Sequence, residues 1–173
     1  MNLTEVILEE GKTQHSLQEI ALDKLDFPYG TYPITKKSPL DLTVTNTGEQ
    51  KLHLTGDWSF EAEVPCDRCL GPVTVPLDIH FDLDVDMKLT EEERRDALDE
   101  SDYLHGYNLD VDKLVYGEAL LNWPARVLCR EDCKGLCRVC GQNLNRKTCD
   151  CDRTDLDPRM AKIRDIFSMY KEV

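Results

Sequence analysis

The chain of 173 residues is long enough for one domain with an appended module, and its 40% hydrophobic and 32% charged residues predict a folded protein. Its net charge of -13 excludes a uniformly basic surface of the kind that binds nucleic acid. The start, MNLTEVILEEGKTQHS, lacks the basic flank and apolar run of a secretory signal, and no stretch approaches the ~20 apolar residues of a membrane span. We therefore expect a soluble, cytoplasmic protein with no membrane partner.

The charge is unevenly distributed along the chain. Residues 81–112 contain twelve acids and three bases, whereas residues 126–173 contain eleven bases and eight acids. We expect the C-terminal part to be the part that can meet RNA, and the acidic part to suit a basic protein.

The N-terminal third gives weak local signals. The apolar residues of 3–8 suggest a strand, residues 27–39 are typical of a loop because they contain proline, glycine and tyrosine, and residues 41–47 predict another strand.

The clearest pattern is a predicted β-hairpin at 52–87. Apolar residues occupy the even positions from 52 to 64 and the odd positions from 73 to 87, with polar and acidic residues between them. This period of two predicts two half-buried antiparallel strands, joined by the loop PCDRCLGP.

Two helices are predicted downstream. Residues 110–122 change to a helical period, with Asp110 as N-cap and Pro124 after the end. Near the C-terminus, Asp157 and Pro158 predict the start of a helix that continues to Tyr170. The charged segment 90–103 between the hairpin and the first of these helices is assigned no function.

These elements predict an α+β fold. We expect a twisted antiparallel β-sheet or partly open barrel with a long hairpin, a covering helix, a Cys-rich zinc module and a C-terminal helix. Residues 1–125 would form the β-rich domain with hairpin 52–87 and helix 110–122. Residues 126–173 would form the zinc module, packed on the hairpin tip.

The eight cysteines have the spacing of metal ligands. They are Cys66, Cys69, Cys129, Cys133, Cys137, Cys140, Cys149 and Cys151. Thiolate pairs two residues apart can bend around one ion, and glycines such as Gly135 and Gly141 would relieve the tight turns that follow. We predict structural zinc, one or two ions.

The cysteines divide into two predicted sets of four. Cys137, Cys140, Cys149 and Cys151 are adjacent in the chain and would form one site. Cys66, Cys69, Cys129 and Cys133 would form the other. Disulfides are disfavoured in a chain without a secretion signal, and a redox role is disfavoured because neither Cys-x-x-Cys opens a helix.

A basic stretch overlaps the downstream cysteines. Lys134, Arg138, Arg146 and Lys147 occur there without any acid, and Asn143 and Asn145 add hydrogen-bonding groups. These six residues are candidate contacts to RNA or to a protein partner. The alternative is that the basic residues balance the negative charge of a zinc–thiolate site.

No catalytic or cofactor-binding residues are predicted. The four histidines, His15, His53, His80 and His105, lie away from the cysteines in the sequence and are expected to be ordinary surface residues. The sequence contains no recognisable nucleophile, phosphate loop or open metal site, so we expect a protein that is not an enzyme.

Four segments together carry a family resemblance: PCDRCL, the Trp-Pro after the first downstream helix, CREDCKGLCRVCGQNLNRKTCDC and DPRMAKIRDIF. In these segments, over roughly residues 50–170, the chain resembles the YceD family of large ribosomal RNA subunit accumulation proteins. The resemblance implies a role in ribosome biogenesis and no enzyme activity.

The predicted function is a noncatalytic ribosome-biogenesis factor that supports accumulation of large-subunit (23S) rRNA. Its partner would be that rRNA or a pre-ribosomal particle, or a basic ribosomal protein. Two other classes remain open at this stage. One is a thiol oxidoreductase or metal-dependent hydrolase, and the other is a zinc-stabilised interaction module unrelated to ribosomes.

Overall fold

The computed structural model describes residues 1–88 and 103–151. The chain divides into two compact units. Unit 1 consists of Met1–Val64 and Pro72–Val127, and unit 2 consists of Pro65–Gly71 and Leu128–Val173. The predicted C-terminal helix and nearly all of the charged segment 90–103 lie outside the described residues.

Strands make up most of the regular structure. In chain order, the described elements are α1 (Thr4–Leu8), β1 (Thr13–Gln18), β2 (Lys24–Phe27), β3 (Gly30–Lys37), β4 (Leu40–Gly48), β5 (Lys51–Pro65), β6 (Pro72–Asp86), β7 (Leu104–His105), β8 (Asn108–Leu109) and α2 (Val111–Leu121).

The main sheet is organised around β5. The strand order is β1-β4-β5-β3-β2, with β6 also paired to β5, while β7 and β8 form a separate two-stranded sheet. The pairs β1–β4, β4–β5, β3–β5 and β2–β3 are antiparallel. The described fold is therefore mainly an antiparallel sheet with few helices, as the alternation of the sequence predicts.

The core of unit 1 lies under the even-numbered face of β5. Every even residue of β5 from 52 to 64 is buried, and the odd residues between them are exposed or half-buried. Trp58 is 1% exposed, stacks on Phe60 with ring centroids 4.3 Å apart, and donates a hydrogen bond from Nε1 to the Ser38 carbonyl at 3.1 Å. This bond removes the cost of burying the indole N–H.

The strand expected at residues 3–8 is wrong, because this segment forms the short helix α1. Leu3 and Val6, three residues apart, are both fully buried, which is the spacing of one helix face. The buried Asn46 donates hydrogen bonds from Nδ2 to the carbonyls of Val6 and Ile7 at 2.9 and 3.0 Å. A distant side chain thus satisfies carbonyls that the end of α1 leaves unpaired.

The loop expected at residues 27–39 is also wrong over most of its length. Strand β3 occupies Gly30–Lys37 and pairs with both β2 and β5. Its alternation is present in the half-buried Tyr32 and Ile34, but Pro33 between them masks it. Pairing with two neighbouring strands outweighs the weak turn preference of this segment.

Helix α2 begins at a side-chain cap. The Asp110 carboxylate accepts a hydrogen bond from the Lys113 backbone amide at 3.1 Å, which satisfies one of the free amides of the first turn. The helix buries Leu114, Val115 and Ala119 and contacts β6.

Candidate metal centres

Two turns of the same design each present a Cys-x-x-Cys pair in unit 2. In the first turn, the amide of Cys66 donates to the Gly71 carbonyl at 2.8 Å, and the amide of Leu70 donates to the Cys66 carbonyl at 2.9 Å. In the second, the amide of Cys137 donates to the Gln142 carbonyl at 2.8 Å, and the amide of Gly141 donates to the Cys137 carbonyl at 2.9 Å. The two turns therefore close with the same pair of hydrogen bonds.

The residue that follows each pair has a left-handed backbone. Leu70 has φ 56° and Gly141 has φ 72°. A left-handed residue reverses the chain after the second cysteine, so that both sulfurs can point toward one centre. Glycine adopts this conformation without steric cost, whereas Leu70 adopts it with its side chain 66% exposed.

The cysteine sulfurs form two groups in the described part of the chain. Centre A contains Cys66, Cys69, Cys129 and Cys133, and centre B contains Cys137, Cys140, Cys149 and Cys151. Within each centre the four sulfurs lie within 4.8 Å of one another. The membership of both groups is the one that the chain spacing suggests, and no disulfide joins these eight cysteines in the described part of the chain.

Backbone amides and burial shape the electrostatics of centre A. The Cys129 amide donates to the Cys66 sulfur at 3.3 Å. Burial raises the pKa of the Cys66 thiol, but the amides of Cys129, Arg68 and Cys69 outweigh it and lower the pKa to about 6. The neighbouring Cys133 sulfur, together with burial, raises the pKa of Cys129 to about 12. The thiol of Cys66 is thus prepared for deprotonation, whereas the neighbouring sulfurs oppose ionisation of Cys129.

Centre B also combines one thiol of lowered pKa with one of raised pKa. The amides of Cys140 and Val139 lower the pKa of Cys137 to about 6, while the neighbouring Cys140 sulfur and burial raise the pKa of Cys151 to about 12. Crowded thiols cannot all ionise without a compensating charge. A divalent cation held by the four cysteines of each centre would supply that charge and allow all four to bind as thiolates.

The sulfur positions fit a tetrahedral metal ion. Four thiolates at ~2.3 Å from a central zinc ion lie about 3.8 Å apart. In centre A, the Cys66 and Cys133 sulfurs are 3.8 Å apart and the Cys69 and Cys129 sulfurs are 3.6 Å apart. These two distances of centre A match that spacing, and both centres offer the four-sulfur donor set of a site that can hold a metal ion.

Unit 2 has no apolar core of its own in its described part, residues 65–71 and 128–151. The buried apolar side chains there are Cys66, Cys69, Cys133 and Cys137, all of them members of the two centres. None of the large aliphatic side chains described there is fully buried, so we expect the fold of residues 65–71 and 128–151 to depend on what the cysteines bind.

The candidate RNA-contacting residues fall into two kinds. Lys134, Arg138, Arg146 and Lys147 are all exposed, and none forms an ion pair within the described ranges. Asn143 and Asn145 are half-buried and bonded within the unit. Asn145 donates from Nδ2 to the Cys133 sulfur at 3.2 Å, and its Oδ1 accepts from the Lys134 amide and from Arg130, each at 2.8 Å. Sequence reasoning missed this structural role because no local pattern indicates it.

All four histidines lie in unit 1, and three of them lie opposite aspartates on neighbouring strands. His53 Nδ1 is 2.9 Å from Asp84, His80 Nδ1 is 2.9 Å from Asp57, and His15 Nε2 is 2.5 Å from Asp41. Among the described residues, the groups that can hold a metal contain cysteines alone. The histidines therefore form surface pairs rather than completing an open, catalytic type of site there.

None of the helices in the described residues has the length and apolar character needed to cross a membrane.

An antiparallel sheet unit followed by a unit with two four-cysteine centres defines a β-sheet protein that carries a module suited to structural metal. Residues 54–167 match the family described as large ribosomal RNA subunit accumulation protein YceD, and the chain belongs to this YceD family.

The chain is also similar to several curated proteins, one of which carries the family name. An uncharacterized protein of Mycobacterium tuberculosis is 28% identical over 164 residues, covering 91% of this chain and 72% of the relative. An uncharacterized protein of Mycobacterium leprae is 29% identical over 167 residues, covering 94% of this chain and 71% of the relative. The Arabidopsis thaliana protein named large ribosomal RNA subunit accumulation protein YCED homolog 1, chloroplastic, is 37% identical over 49 residues, covering 28% of this chain and 15% of that protein. No solved structure gives a significant match.

Proposed function

We propose that this chain is a noncatalytic ribosome-biogenesis factor that supports accumulation of large-subunit rRNA, with structural zinc in both centres. The observation that carries the proposal is the family match over residues 54–167, because it spans both Cys-x-x-Cys turns and the family is named for rRNA accumulation. Zinc is the metal we infer, since four thiolates in a closed tetrahedral set are a common structural zinc site.

Four cations of unit 2 supply the proposed RNA-binding surface. Lys134, Arg138, Arg146 and Lys147 are exposed, and exposed cations close together in the chain suit contacts with phosphates. By contrast, Lys12, Lys24, Lys36 and Lys37 of unit 1 each lie within 4.0 Å of a carboxylate. Asn143 and Asn145 contribute by holding the loop that carries Arg146 and Lys147.

The experiment compares two charge-matched variants in the full chain. Replacing Lys134, Arg138, Arg146 and Lys147 by alanine should abolish co-sedimentation with large-subunit particles at low salt and lower the cellular level of large-subunit rRNA. Replacing Lys12, Lys24, Lys36 and Lys37 by alanine removes the same charge and should leave both readouts near wild type. Equal effects of the two variants, or no effect of either, would contradict the proposed surface.

A basic ribosomal protein is the second candidate partner, and one observation favours it. The outward positions of β5 and β6 carry the exposed acids Asp57, Glu63, Asp78, Asp82 and Asp84. A field of this sign attracts basic proteins, and salt screens the attraction. If the four-cation variant still binds particles, and replacement of these acids by asparagine or glutamine abolishes binding, the protein partner is the correct one.

The two centres argue against the enzymatic alternatives. Each centre offers four cysteines to one ion, which leaves no position for a substrate or an activated water. A redox pair would react readily with a thiol reagent in the native protein, whereas metal-bound thiolates stay masked until a chelator is added. We expect masked thiols. Rapid reaction of two cysteines before chelation would favour the oxidoreductase.

A further inference from the structure

A single side chain connects the two centres. Asn145 lies in the loop between Cys140 and Cys149, which are both members of centre B. Its side-chain nitrogen, Nδ2, nevertheless donates to the sulfur of Cys133, a member of centre A, at 3.2 Å. A hydrogen bond to a bound thiolate orients the ligand and moderates its charge, so the loop of one centre supplies the outer support of the other.

The side-chain oxygen of Asn145 is also bonded to the chain around Cys133. Oδ1 of Asn145 accepts from the backbone amide of Lys134 at 2.8 Å and from Nη2 of Arg130 at 2.8 Å. These two residues lie on either side of Cys133 in the sequence. Asn145 thus holds both the sulfur of Cys133 and the backbone that presents it.

The position of Asn145 depends in turn on the loop of centre B. The backbone amide of Asn145 donates to Oδ1 of Asn143 at 3.0 Å, and the backbone amide of Leu144 donates to the Gly135 carbonyl at 2.9 Å. The ends of this loop are Cys140 and Cys149. A metal ion that ties these two cysteines together removes the entropy of the open loop, whereas without that tie the loop must be ordered by a few hydrogen bonds alone.

We propose that Asn145 couples the two centres, so that a metal ion in centre B strengthens metal binding in centre A. Linkage makes the effect reciprocal: a metal ion in centre A strengthens binding in centre B by the same factor. This rests on the proposed metal binding at both centres, and it adds a physical route by which the module loads its two ions cooperatively.

The test measures the zinc affinity of centre A by competition with a chromophoric chelator, in reduced full-length protein. Cys149→Ser with Cys151→Ser disables centre B and leaves centre A as the remaining four-cysteine site. We expect this pair of substitutions to weaken centre A about 10-fold or more, the scale on which outer-shell support acts. In the Asn145→Ala variant, we expect the zinc affinity of centre A to be lower from the start. Disabling centre B in that variant should then lower this affinity little further.

Two further variants separate coupling from general damage to the loop. Thr148→Ala is the matched control, since Thr148 is exposed in the same loop. The zinc affinity of centre A should then equal that of wild type. Asn145→Asp keeps an oxygen that can accept from the Lys134 amide. It replaces the Nδ2 group that donates to the Cys133 sulfur by a second oxygen. It should leave the hydrogen-exchange rate of the Lys134 amide near that of wild type while weakening zinc binding at centre A.

The outcomes distinguish this inference from the proposed function. If wild-type protein binds two zinc ions but disabling centre B weakens centre A equally with and without Asn145, the coupling is contradicted and the metal sites stand. An unchanged zinc affinity in Asn145→Ala contradicts the coupling in the same way. If wild-type protein binds no zinc, the metal part of the proposed function is wrong and the coupling falls with it.

Discussion

At the scale of single residues, Gly135 and Gly141 share a backbone conformation but differ in their surroundings. Their φ angles are 74° and 72°. A Cβ atom at Gly135 would lie 2.9 Å from the backbone oxygen of Arg68, whereas a Cβ atom at Gly141 would meet nothing within 4 Å. Arg68 lies between Cys66 and Cys69, and its carbonyl accepts from the Leu136 amide at 3.1 Å. A side chain at Gly135 would therefore disturb centre A directly.

This difference predicts unequal effects of two similar substitutions. Gly141→Ala should cost about 1–2 kcal/mol, the usual penalty for a left-handed residue with a Cβ atom. Gly135→Ala should cost more, because the carbonyl of Arg68 must also move, and it should release zinc at a lower chelator concentration. Thermal unfolding and chelator titration of both variants check this. Equal losses in the two variants would contradict the contact with Arg68.

At the scale of elements, the outer surface of β5 and β6 pairs histidines with aspartates across strands. His53 on β5 lies 2.9 Å from Asp84 and 3.6 Å from Asp82, both on β6. The hydrogen bond with Asp84 raises the pKa of His53, partly opposed by burial, and the charge of Asp82 acts in the same direction as Asp84. Cross-strand pairs of this kind stabilise the contact between neighbouring strands.

The pKa of His53 gives the pH dependence of this contact. Because the folded pKa lies above the unfolded value of about 6.5, the stabilisation is complete below that pH and is lost as the pH rises through the folded pKa. We expect an NMR titration of His53 to show a pKa above 6.5, and Asp84→Asn to lower it. A pKa that Asp84→Asn does not change would show that the pair does not form in solution.

At the scale of the whole molecule, the sequence predicted what depends on period and spacing. The alternation over 52–64 is confirmed by the alternating burial of β5, and the glycines expected to relieve tight turns, Gly135 and Gly141, have positive φ angles. The sequence failed where distant contacts decide the structure. Helix α1 depends on caps from Asn46, and the role of Asn145 depends on Cys133, twelve residues earlier. No local pattern contains such partners.

The unequal distribution of charge and apolar residues gives the two units different sources of stability. Unit 1 buries a conventional core that includes Trp58, Leu54 and Phe81, whereas in the described part of unit 2 the buried apolar side chains are cysteines. Metal binding in such a unit contributes directly to its folding free energy.

Elemental analysis of the full-length protein, purified under reducing conditions, tests the two metal centres most directly. We predict two zinc ions per chain, and one ion per chain when Cys66 and Cys133 are both replaced by serine, because centre B keeps its four ligands. A chain that contains no zinc, or cysteines found bonded to one another under the same reducing conditions, would contradict the account.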